Sequence, residues 1–332
     1  MGRRRLRVRV GVRGHQAETS TGACLDHNMN SAYDRALHRY AAFTAACTFV
    51  LLNAGALVTS NDAGLSIPDW PLAYGSFFPP FVGGVRYEYT HRVMATCVGL
   101  LTIGLAVWLW RAEKRSWMRW LGVAALGGVI AQGILGGLTV RMYQPPPVSA
   151  AHATLGQAFF STLVAIAVFT SAWWNGNFAE IDDPRSPRVR TLTVWTVAAV
   201  FLQLFLGAAF RHKAFGIIPH LVGAAVVTAF IFVTAGALKR RFANVPALRG
   251  CARYLQILIG VQLLLGAGAY WSRLYAARFP QPIPVMVALT VAHMVTGALV
   301  LATTLVTALV AHRMIGQQRA IADSAPVSEQ AA

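Results

Sequence analysis

Eight stretches of about 20 or more mostly apolar residues dominate this chain: 39–60, 89–110, 117–140, 150–174, 191–210, 218–238, 253–271 and 286–311. About 20 apolar residues let a helix cross the hydrocarbon core of a bilayer. Lipid offers no partner to backbone N–H and C=O groups, so a spanning segment of this kind must be helical. Composition points the same way. Only 12% of the 332 residues are charged and 56% are hydrophobic, with a mean hydropathy of +0.51; soluble domains carry roughly 25% charged residues. The expected fold class is all-α, a polytopic membrane protein with eight transmembrane helices. A soluble enzyme, a disordered chain and a secreted disulfide scaffold are excluded. Cys24, Cys47, Cys97 and Cys251 are scattered and form no CxxC.

The net charge of +17 marks membrane orientation rather than a nucleic-acid footprint, because the basic residues are sorted between alternate loops. With the N-terminus inside, 22 Lys and Arg fall on the inner side and 7 on the outer, and dropping the arginines of the first 14 residues still leaves 16 against 7. The positive-inside rule then puts both termini in the cytoplasm. The start, MGRRRLRVRVGVRG, has no apolar run behind its arginines and so is no signal peptide. It is read as a flexible tail, or as a stretch ahead of a start at Met29, with an Arg-rich, acid-poor transit peptide as the alternative.

A weak repeat divides the spans. QGILGGLTVRM in the third matches QLLLGAGAYWSR in the seventh, and THRVMATCVG in the second matches PHLVGAAVVT in the sixth. Both copies run in the same direction through the membrane, so the repeat is parallel. The expected organisation is two pseudo-repeated four-helix bundles: a basic tail at 1–38, an N-terminal half at 39–174, a cytoplasmic linker at 175–190, a C-terminal half at 191–311 and a tail at 312–332.

Nine histidines are present. His15, His27, His38, His212 and His312 fall in tails, a loop or helix ends and are read as solvated or interfacial. His91, His152, His220 and His293 head the second, fourth, sixth and eighth spans, each toward the outer end. Ionisable groups inside spans are rare and usually face the bundle interior. A single one would be a packing residue; four at one depth, two per repeat, point to metal ligation. In a bundle within lipid the leading metal is haem iron. Arg86, Arg92, Arg141, Arg211, Lys213, Arg273 and Arg278 are the outer basic residues from which propionate partners would come. Glu88 lies three residues before His91, on the same helix face. A di-iron carboxylate centre fails by count, since the only other outer acids are Asp62 and Asp69. The first outer loop is long for a bundle connection and carries Trp70, Tyr74, Phe77 and Phe78, which are expected to cover a ligand at the mouth of the N-terminal half.

GLSIPDWPLAYG, the double proline and Glu88-Tyr89-Thr90-His91-Arg92 resemble the first-loop and second-helix signature of the haem A synthases. AHATLGQ around His152, PHLVGA around His220 and AHMVTGAL around His293 resemble that family's other histidine-bearing helices, and the likeness covers about 39–311. It implies an enzyme that oxidises the C8 methyl of haem O to a formyl group by successive hydroxylations for cytochrome oxidase biogenesis. It implies haem b as cofactor on His220 and His293, the substrate haem and its iron at His91 and His152, and Glu88 as the catalytic residue. It implies as partners haem O, membrane lipid, haem O synthase, oxidase assembly factors and an electron partner it does not name, and no nucleic acid. The expected location is a bacterial inner membrane, with a mitochondrial inner membrane as the alternative. Many bacterial members carry cysteine pairs in outer loops; this sequence has none there, which removes thiol-linked redox steps. On the histidines alone, a di-haem electron-transfer protein and a haem carrier or assembly partner of a terminal oxidase stay open.

Overall fold

The computed structural model describes residues 34–177 and 180–316, so the N-terminal tail with His15, His27 and Met29, and most of the C-terminal tail, lie outside it. Among the described residues the chain forms nine helices: α1 (Arg35–Ser60), α2 (Val85–Ala112), α3 (Ser116–Arg141), α4 (Pro146–Phe169), the one-turn α5 (Ala172–Asn175), α6 (Val189–Arg211), α7 (Ile217–Arg241), α8 (Pro246–Ala276) and α9 (Pro284–Met314). All but α5 are long and apolar enough to span a bilayer. This is a multi-pass α-helical membrane protein.

Local chemistry sets the helix ends. α1 begins four residues before its apolar stretch because the Asp34 carboxylate accepts hydrogen bonds from the N–H groups of Ala36 and Leu37, at 2.9 and 3.1 Å. Proline opens α4, α8 and α9, where its missing N–H costs nothing. The fourth span ends at Phe169 rather than 174. Thr170 and Ser171 turn the chain, and the Ser171 hydroxyl caps α5 through the Trp174 N–H.

Each half is a closed ring of four helices. α1 packs on α2, α2 on α3, α3 on α4 and α4 on α1; the corresponding ring is α6, α7, α8, α9 and back to α6. The halves meet through α1 and α4 on one side and α6 and α9 on the other. His38, read as part of the tail, helps close the first ring: its Nδ1 lies 3.0 Å from the Ala167 carbonyl of α4.

The packed cores are not centred along the bundles. In the first half the fully enclosed side chains include Leu37, Leu105, Leu109, Met118, Leu163 and Ile166. All lie toward the end where the chain enters and leaves, here the terminal end. The second half repeats this with Val189, Leu238, Leu248 and Ala311, and has a further cluster at mid-depth around Val200, Ile231 and Leu255. The opposite end, which carries the long 61–84 connection and is here called the loop end, holds the four histidines instead. Leu163 is completely enclosed in the first core. Leu163→Ala should cost about 2–4 kcal/mol, measured as a shift in a detergent unfolding titration.

Four glycine-seated histidines as the candidate functional site

His91, His152, His220 and His293 stand on α2, α4, α7 and α9, in the first turns inward from the loop end. Each ring lies against a glycine of the helix that precedes it. A Cβ added at Gly55 would meet His91 Cε1 at 3.1 Å, and at Gly136 it would meet His152 Cε1 at 3.4 Å. At Gly207 it would meet His220 Cε1 at 2.9 Å, and at Gly266 His293 Cε1 at 2.8 Å. In all four cases Cε1 is nearest and Nδ1 next, so the rings are presented by one repeated geometry. A Cβ at Gly207 or Gly266 would push into the imidazole, one at Gly55 would crowd it, and one at Gly136 would rest against it.

The two pairs differ in how the rings are tied. In the second half the His220 and His293 ring centres are 6.3 Å apart with planes at 89°. His293 Nδ1 lies 3.2 Å from the Gln262 carbonyl, and His220 Nδ1 lies 3.0 Å from the Gln203 side-chain amide. In the first half His91 and His152 are close enough to interact electrostatically, and the rings also interact with the backbones of Leu51 and Gln132, but no hydrogen bond of good geometry among the described residues reaches either Nδ1. Phe210 stacks on His220, with ring centres 6.4 Å apart and planes 11° from parallel, and the Arg273 guanidinium lies 6.0 Å over Phe210.

Haem iron fits these residues. Two imidazoles on opposite sides of one metal, with metal–nitrogen bonds of about 2 Å, stand roughly 6 Å apart centre to centre, as His220 and His293 do. No three His, Cys, Asp or Glu side chains converge among the described residues. A site with two protein ligands suits an iron whose other positions a macrocycle fills. The His293 Nδ1–H donating to a backbone carbonyl is the outer contact that directs Nε2 to a metal.

Glu88 is buried, 4% exposed, and both its oxygens are engaged. Oε1 accepts from Arg92 Nη2 at 2.6 Å and Oε2 accepts from the Ile67 N–H at 2.9 Å. Arg92 also donates to the carbonyls of Ile67, Asp69 and Leu72. The pair therefore ties the 61–84 connection to α2 one turn from His91, and both terminal nitrogens of Arg92 are spent on it. Asp69 shapes the same loop by accepting from the Tyr74 and Gly75 N–H groups at 2.6 and 2.8 Å. The Gly75 N–H, above all, holds its carboxyl below the usual value of 3.8. Trp70 reaches across to α3, where a Cβ on Gly137 would touch its indole at 2.8 Å, beside the seat of His152. The loop aromatics do not act together: Trp70 packs toward the first half, whereas Phe77 and Phe78 are 76% and 87% exposed.

His212, read from the sequence as solvated or interfacial, is half-buried at the end of α6. Burial first, then Arg211 and His152, push it down to about 4. Arg211 donates to the Thr59 carbonyl at 2.6 Å and interacts with Asp62 and Arg273, so the end of α6 reaches the mouth of the first half.

Comparison with known proteins agrees with this architecture. Residues 85–315 match the COX15-CtaA model, described as cytochrome oxidase assembly protein. The chain belongs to that family. A protein named haem A synthase from Symbiobacterium thermophilum is 32% identical over 180 residues, which is 52% of this chain and 58% of that one. Another of that name from Shouchella clausii is 32% identical over 184 residues, 54% and 60% of the two chains. A third, from Alkalihalophilus pseudofirmus, is 26% identical over 178 residues, 52% and 59%. The chain thus spans less than two thirds of the length of these relatives.

The sequence reading missed the glycine seats, although three of them end a repeated Q-x-x-x-G: QGILG, QLFLG and QLLLG. It also missed that Glu88 has Arg92 one turn on. Arg92→Ala would leave Glu88 buried without its cation, at a cost of about 3 kcal/mol. Limited proteolysis of the 61–84 loop should speed up in that variant, with cleavage elsewhere unchanged.

Proposed function

We propose that this protein is a haem A synthase, an oxidoreductase that converts the C8 methyl of haem O to a formyl group by successive hydroxylations for cytochrome oxidase biogenesis. The observation that carries this reading is the repeated seating of four histidines, each against a glycine of the preceding helix, at one end of two like bundles. Family membership and relatives named haem A synthase support it.

His220 and His293 hold the resident haem b, which supplies one-electron redox chemistry when bound. The Gln262 carbonyl and the Gln203 amide orient the two rings, and Gly207 and Gly266 keep them in place. Haem O, the substrate, binds in the first half with its iron near His91 and His152 and its lipid-like tail between helices toward the bilayer. Glu88 and Arg92 hold the 61–84 loop over this site and limit water. The Glu88 carboxylate opposes positive charge that develops as the methyl is oxidised, or accepts its proton. Arg211 and Arg273, beside the His220–Phe210 stack, are the propionate partners among the outer basic residues. The remaining partners are haem O synthase upstream, oxidase assembly factors downstream and an electron partner. The protein lies in a bacterial inner membrane with both termini cytoplasmic, an orientation that the 22-to-7 charge split supports.

Extraction of the bound haems tests the function. Haem O or haem A beside haem b is expected; two equivalent haem b groups would instead mean electron transfer without ring chemistry. His220→Ala and His293→Ala should each abolish or strongly alter the low-spin haem b spectrum, and wild-type spectra from both would overturn the assignment. Glu88→Gln keeps the side chain's size and should retain haem b while losing most conversion, so that haem O or a hydroxylated intermediate accumulates. Wild-type haem A yield would remove Glu88 from the chemistry. A reporter fused after His312 should behave as cytoplasmic; a periplasm-active fusion would mean that a span is miscounted.

A further inference from the structure

Three of the four helix pairs carry an interlock that the first lacks. Four residues before each glycine seat stand Leu51, Gln132, Gln203 and Gln262. Gln132 donates to the backbone carbonyl of His152 at 2.9 Å, and its amide nitrogen would meet a Cβ on Gly156 at 3.5 Å. Gln203 donates to the carbonyl of His220 at 2.9 Å and packs against Gly223. The amide nitrogen of Gln262 packs toward Gly297, 3.3 Å from an added Cβ, while His293 Nδ1 lies on the Gln262 backbone carbonyl rather than on its side chain. In each pair, then, one glycine admits the histidine and another, three or four residues past that histidine, admits the glutamine.

The α1–α2 pair departs on both sides at once. Leu51 replaces the glutamine, and Met94 and Ala95 stand three and four residues after His91 where the other helices have glycine. A leucine cannot donate to the His91 carbonyl. His91 keeps the glycine seat and an interaction with the Leu51 backbone, as the other histidines do with the residue at that place, but has no glutamine bond to its own carbonyl. His152, in the same bundle, is pinned to α3 through its backbone. Equivalent contacts show that the halves otherwise follow one plan: Leu52 meets Gly156 as Leu204 meets Gly297, at 3.4 and 3.2 Å from the added Cβ.

We propose that Leu51 and Met94 make His91 the exchangeable ligand of the substrate haem, with Gln132 holding His152 as the permanent one. This rests on the reading of the first half as the haem O site. An iron that keeps one ligand and releases the other stays bound while a coordination position opens, and only one bundle of the two needs that. Leu51, Met94 and Gln132 act through the histidines and are positioning residues.

The full-length protein, purified with haem b and loaded with haem O, tests this. His91→Ala should keep haem O, now high-spin and open to carbon monoxide when reduced, whereas His152→Ala should lose it. Equal retention or equal loss in the two variants would overturn the proposal. If neither variant changes haem O content, the substrate-site reading itself falls, a separate outcome from equal loss. The double variant Leu51→Gln/Met94→Gly supplies the missing interlock and should slow carbon monoxide binding to reduced haem O by about tenfold, the lower range for outer partners of a ligand. An unchanged rate, with the haem b spectrum intact as the sign of a folded protein, would also overturn it. Gln132→Leu should cut haem O retention by a similar factor, with Gln132→Asn restoring part of it.

Discussion

Helices in lipid gain little by hiding apolar surface from one another, so their association rests on close packing and on hydrogen bonds between them. Here close packing and ligand placement are the same contact. Gly55, Gly136, Gly207 and Gly266 remove the Cβ that would meet an imidazole on the next helix. Each ring is thereby both the knob that joins two helices and the group that faces the bundle interior. The enclosed aliphatic clusters toward the terminal end hold the helices together away from the histidines.

The charged contacts at the loop end follow from the same shortage of water. Glu88 and Arg92 are both largely buried, and a buried pair returns its desolvation cost only when the remaining donors and acceptors are filled. The Ile67 N–H and three loop carbonyls fill them. The pair thus converts a long connection rich in glycine and proline into a fixed cover beside His91. Trp70, seated at Gly137, sets the other side of that cover against α3.

Two bundles with one plan and different details give a division of labour. The second half places both Nδ1 atoms within hydrogen-bond distance of a glutamine. The first half lacks one glutamine–glycine interlock, at Leu51 and Met94. The end of α6, through Arg211 on Thr59 and His212 near His152, joins the halves where the two sites approach each other.

The sequence by itself determined the eight spans, because apolar runs of membrane length in a chain with few charges have no other stable form. It also determined the depth of the four histidines, since register along a span is read directly from position. Helix ends shifted by a few residues where capping decided them, as at Asp34 and Ser171. What only the tertiary structure decided is which groups meet across helices. His220 and His293 are 73 residues apart in the chain and face each other because α7 and α9 belong to one ring of four. The bond from Glu88 to Ile67 and the surroundings of His212 were equally out of reach. Periodicity fixes the face of a helix, but the partner on that face depends on how the helices close around one another.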